Sequence, residues 1–333
     1  MNVNAHFFAS AFQLFLLLLL LLLILIPSSS GQLQLQVQLN MEHLNRYDSI
    51  IRAIVFEGIQ LTDMLLQVFY IITFFVLSFS KPFQEILVCL SISILLRATF
   101  SFCSVLSWII SVDATDVLQI SLYLDLISSH FSSFTVFLLA LHRCFLLKLP
   151  KWNLKVFGGY RHFLLLTVGL LFSVGMGILQ KNTGNMQRYF SYEFGTVDFK
   201  MYGSWLSYVP AVILFTYPVA AVISYIFLFL HIKKALREPR PSISNYTLKC
   251  ERNIGLQLLL SCALQLILYG IGEFSMALNV NIRLKSSIDL FTSFACYIPE
   301  MLLPLFLFSS KEELREKIHD FRMSQSNAFV ISL

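Results

Sequence analysis

Residues 117–143, VLQISLYLDLISSHFSSFTVFLLALHR, decide how the whole chain is to be read. The stretch exceeds the about 20 residues of apolar helix that cross a hydrocarbon layer. Yet Ser121, Asp125, Ser128, Ser132 and Thr135 recur at helical spacing within it, and Arg143 follows eleven residues after Ser132. That spacing sets them on one face of a helix. In a bilayer such a face turns inward, because lipid cannot satisfy hydroxyls or a carboxylate. The expectation is a helix at the centre of a bundle, with a polar site in its outer half and a charge at its inner end. From Asp125 to Arg143 the rise is roughly 27 Å at about 1.5 Å per residue.

The rest of the chain fits that reading. Of 333 residues, 57% are hydrophobic and 13% charged, against about 25% charged in soluble domains. A chain so apolar cannot hide its surface in one globular core, so the expected class is an all-α membrane protein. Seven apolar runs cover approximately 60–79, 84–107, 117–140, 161–180, 204–230, 253–279 and 287–309. The net charge of +5 sits in short loops between them, which reads as membrane topology and excludes a nucleic-acid face. Sixteen Lys and Arg fall on one side of the seven runs and seven on the other. By the positive-inside rule the N-terminus is outside and the tail cytosolic.

Four regions follow: 1–31, an extracellular segment 32–59, a seven-helix transmembrane bundle 60–309, and a cytosolic tail 310–333. The first region carries eight consecutive leucines and then Ser28-Ser29-Ser30-Gly31, the pattern of a signal peptide, but the first 45 residues hold no Lys or Arg. It is therefore read as either a signal peptide or an anchor helix, and both leave 32–59 outside. The one sequon, Asn245-Tyr-Thr247, falls in a cytosolic loop and is expected to stay unglycosylated. In the tail, Leu314, Ile318 and Phe321 share a face, and Glu313 precedes Lys317 by four. This pattern predicts a short amphipathic helix on the inner membrane surface.

Charges within the bundle are the candidate site. Arg97 and Asp125 lie at comparable depth, and an ion pair between them explains how each is tolerated. Direct ligand contact by Arg97, Asp125 and Ser128 is the alternative, with Glu273 and Asp289 near the outer helix ends as further pocket candidates. Asp63 is placed like these last two and is expected to be wetted. Pro299, Glu300 and Pro304 suggest a deeper network in the seventh run, where Pro299 interrupts the backbone ladder. The loop 180–203 carries Tyr189, Phe190, Tyr192, Phe194 and Phe199, either an interfacial belt or a lid over an apolar pocket.

Arg143, beside His142, reads either as a snorkelling boundary arginine or as a switch that changes partners between two bundle arrangements. Lys233, Lys234 and Arg237 open a basic loop suited to an acidic partner or anionic lipid. The six cysteines show no metal-binding spacing, and none lies in the 180–203 loop. They are expected to pack between helices. His130 has no HxxxH partner, so a buried, hydrogen-bonded histidine is expected there and no metal site. No GxSxG, paired aspartate or zinc motif suggests an enzyme or a cofactor. No internal repeat points to a transporter, although a small transporter or channel, or a receptor-like partner protein that does not signal, remains the second reading.

Leu141-His-Arg-Cys144, the following Pro150-Lys-Trp152, Pro299-Glu300 with Pro304, and Phe308-Ser-Ser-Lys311 together make the chain similar to the nematode serpentine chemoreceptors of the Srg superfamily, near its Srv and Srxa branches. The resemblance spans roughly 55–323. It implies a plasma-membrane G-protein-coupled receptor, with the sensory cilium as an expected location. The implied partners are a small-molecule ligand, a heterotrimeric G protein and membrane lipids. By this likeness Arg143 matches the arginine of the Asp-Arg-Tyr motif of rhodopsin-type receptors. His142 and Cys144 flank it here, so its usual acidic partner is missing and the resting-state lock must differ.

Overall fold

The computed structural model describes residues 46–76, 82–109, 115–191, 195–199, 205–237, 256, 259–268, 270 and 271. Within them the chain is nearly all helical. In chain order the elements are α1 (Arg46–Val76), α2 (Pro82–Ile109), α3 (Thr115–Lys148), α4 (Pro150–Phe157) and α5 (Arg161–Thr183). Strands β1 (Gln187–Ser191) and β2 (Gly195–Phe199), a 3-10 turn (Trp205–Ser207) and α6 (Tyr208–Arg237) follow. A further helical stretch, Leu259–Leu268, belongs to the sixth expected run.

Among the described residues, four helices are long and apolar enough to cross a membrane: Pro82–Ser107, Thr115–Lys148, Arg161–Thr183 and Tyr208–Lys234. They correspond to the second to fifth expected runs. The seventh run and much of the sixth lie outside the described residues. α1 starts at Arg46, fourteen residues ahead of the apolar run expected at 60–79. Within the expected run, Gln60, Asp63, Gln67 and Tyr70 form a buried helical stripe, and α1 packs on α2.

α3 is the most buried of the four apolar helices and packs against α2, α5 and α6. Its contact with α5 depends on small residues. A Cβ on Gly177 would stand 2.7 Å from Ile127 Cγ1 and 3.2 Å from the Ile127 nitrogen, and one on Gly169 would run into the Phe134 ring. With Ser173 midway, α5 presents a small residue every fourth position, which lets two backbones approach closely in a membrane. On the α6 side, Tyr217 packs against Phe134 and Phe137, with ring centroids 5.6 and 6.1 Å apart.

Two elements stand where the sequence reading expected loops, and one of them is not helical. α4 forms where a cytosolic loop was expected, opened by Pro150 in its first turn and closed at Gly158, with Gly159 left-handed at φ 61°. The loop 180–203 contains an antiparallel hairpin, which pairs Gln187 with Phe199 and Ser191 with Gly195. Tyr189, Phe190, Val197 and Phe199 are strand-forming residues, and the segment lacks the apolar period that would extend α5.

Candidate functional site

The hairpin register sets Arg188 directly opposite Asp198. Arg188 is buried, and its guanidinium grips the Asp198 carboxylate with two donors: Nε to Oδ1 at 2.6 Å and Nη2 to Oδ2 at 2.7 Å. This forked geometry is the strong form of a charged hydrogen bond. The same guanidinium reaches into the bundle, where Nη2 donates to Asp125 Oδ2 at 2.7 Å and Nη1 to Ser121 Oγ at 3.1 Å. Gln119 of α3 donates to the Arg188 carbonyl at 3.2 Å. Burial alone would lower the pKa of Arg188, but Asp198 and Asp125 outweigh it and hold the pKa above its ordinary value. The guanidinium therefore stays charged and ties the hairpin to α3.

The expected Arg97–Asp125 pair is present, with Arg97 Nε 3.7 Å from Asp125 Oδ1, but Arg188 is the closer partner. Asp125 bridges the buried α2 arginine and the hairpin arginine while keeping 38% of its side-chain surface accessible. A carboxylate held on two sides and open on another can meet an incoming polar group. Ser128 takes a different role, exchanging a hydroxyl contact with Ser93 at 3.0 Å and donating to the Ser93 carbonyl at 3.3 Å, which staples α3 to α2. Asp63 is fully buried and accepts from Gln67 Nε2 at 3.0 Å, which corrects the expectation of a wetted residue. The cause is α2, which covers that face of α1. His130 is buried and hydrogen-bonded to Gln180 Oε1 at 3.0 Å, and no metal-binding cluster occurs among the described residues.

At the opposite end of α3 a second cluster surrounds Arg143. Its guanidinium lies over the Phe83 ring of α2, 3.8 Å from the centroid. His142 is buried and meets Phe157 of α4 edge-on at 5.0 Å. Glu85, two residues beyond Phe83, is bound by His162 of α5 at 2.5 Å. Lys233 and Lys234 are exposed near the end of α6, and Arg237 is the last residue of that helix. Glu273, Asp289, Pro299, Glu300, Pro304, the tail helix and the sequon lie outside the described residues. So do the aromatic side chains expected to form a belt or lid.

Sequence reasoning missed Arg188, which entered only the count of loop cations, and Asp198, which it did not weigh. Their signal is weak but present: an arginine and an aspartate ten residues apart, each among strand-forming residues, with Gly195 between them. No protein family model matches this chain, and no curated protein matches it either.

Proposed function

We propose that the protein is a G-protein-coupled chemosensory receptor of the plasma membrane. A small-molecule cue enters the outer half of a seven-helix bundle, and the cytosolic ends of the helices carry the signal. The observation that carries this reading is that one central helix bears both clusters: Asp125 under the hairpin and Arg143 over Phe83. A ligand with a hydrogen-bond donor competes with Arg188 for Asp125, loosens the hairpin's hold on α3, and biases the helix toward a second packing. Arg143 then leaves Phe83 and becomes available to the G protein. The resemblance to nematode serpentine receptors supports the same reading, including an outward N-terminus and a role in sensory perception. The protein has no covalent chemistry in this scheme.

The test is G-protein activation in cells expressing wild-type, Arg143→Ala or Asp125→Asn protein at matched surface levels, across a panel of small molecules. A wild-type response that Arg143→Ala abolishes, and that Asp125→Asn shifts in ligand concentration, supports the proposal. Ligand-driven solute flux without G-protein activation would favour a transporter or channel instead.

A further inference from the structure

The segment joining α3 to α5 carries a surface used by neither cluster. Lys148, Lys151, Lys155 and Arg161 fall within residues 143–192, a stretch with no Asp or Glu. Among them stand apolar side chains left in the open, Trp152 at 53% and Leu154 at 72% exposure. Lys155 Nζ lies 5.3 Å over the Trp152 ring, so one cation and one aromatic share a face. α4 is not loosely attached. Phe157 is buried against His142 and Phe145, and Arg161 donates to the Lys155 carbonyl at 2.5 Å.

We propose that α4 and its flanks dock on anionic phospholipid headgroups of the adjoining leaflet. A headgroup layer satisfies both halves of this surface. Ammonium groups meet phosphate and serine carboxylate, while Trp152 and Leu154 enter the boundary with the acyl chains. An acidic protein would pair with the lysines and offer the apolar residues nothing by virtue of its charge. The surface continues across the bundle end: Lys148 Nζ lies 5.8 Å from the Phe227 ring of α6, and the exposed Lys233 and Lys234 extend the same helix. This inference rests on membrane embedding alone and stands whether or not the protein signals.

The test uses the full chain in lipid nanodiscs, with Trp108→Phe and Trp205→Phe leaving Trp152 as the only tryptophan. Its fluorescence is quenched by brominated phosphatidylserine or brominated phosphatidylcholine at the same mole fraction. Since each surface cation adds about 1 kcal/mol of attraction to an acidic leaflet, quenching by the serine lipid is expected to be at least about twofold stronger. The preference should fall to parity in 0.5 M salt (about a 4 Å screening length) and in the Lys148→Gln, Lys151→Gln, Lys155→Gln variant. Equal quenching by both lipids overturns the proposal and leaves the surface to an acidic protein partner. A preference that survives the triple substitution overturns its assignment to α4. The circular dichroism of the triple variant, matched to the parent, separates lost contact from lost fold.

Discussion

Arg188 satisfies three side chains on two elements, so its removal strands carboxylates on both. Breaking a fully buried pair by deleting one partner costs about 3–5 kcal/mol, and the partial exposure of Asp125 and Asp198 brings the expected cost below that range. Arg188→Gln is accordingly expected to lower the thermal midpoint clearly, as followed by intrinsic fluorescence in detergent. A second measurement separates the two bonds of the guanidinium. Exchanging the pair, Arg188→Asp with Asp198→Arg, restores the cross-strand charges but faces Asp125 with a new carboxylate. The exchange should therefore fail to recover stability, whereas full recovery would reduce the role of Arg188 to the hairpin alone. At the Arg143 end of α3, Phe83→Ala removes a contact worth about 0.5–2 kcal/mol. If Arg143 is latched there at rest, basal G-protein activation should rise, and an unchanged basal level would show that the contact is no latch. The sequence made Arg97, Asp125 and Arg143 legible because charges in apolar runs are conspicuous. It hid Arg188, because a loop arginine reads as topology until a strand register aims it inward.

Among the elements, α5 is read best from its glycines. Gly177→Val drives a branched side chain into Ile127, and Gly169→Leu drives one into Phe134. Both should reduce folded yield on size exclusion, while Gly175→Ala, which meets nothing within 4 Å, should behave as wild type. If Gly177→Val were harmless, the α3–α5 contact would not depend on close backbone approach. α1 offers a pH test. Burial pushes the Glu57 carboxyl, ahead of the apolar run at 60–79, up to about 7 from 4.5. Because the folded state holds the proton more tightly than the unfolded one, stability is fully present below about 4.5 and declines as pH rises to about 7. Glu57→Gln should flatten that decline in thermal midpoints across the same window. Helical elements were legible because the 3.6-residue period and the run lengths are strong signals. The hairpin was not, because five-residue strands carry too few residues to show a period and their pairing is fixed by a partner strand.

For the whole molecule, the expectation is a polar outer closure and a basic inner rim on opposite sides of one membrane. Single cysteines placed at Lys151 and at Gln187, in a background freed of native thiols, test this with a membrane-impermeant maleimide on intact cells. Gln187→Cys should label before lysis and Lys151→Cys only afterwards. The reverse order would invert the bundle and move the proposed coupling face outside. The membrane class was legible from composition because burial in lipid demands apolar residues throughout. What the bundle senses was not, since ligand chemistry is set by a few side chains converging from several helices.

The order of the ion network along the chain has a consequence for synthesis. Arg97 emerges first and Asp125 second, so the carboxylate can enter the membrane with one cation already beside it. Its closer partner arrives only 63 residues later, after α5 has been made. Until then α3 carries a half-neutralised charge, and a nascent chain stalled before residue 188 should present Asp125 to the insertion machinery as an unfinished contact. The Arg188 contacts that tie the hairpin to α3 thus complete only once the hairpin has been made, and the described cysteines are free thiols that take no part in it.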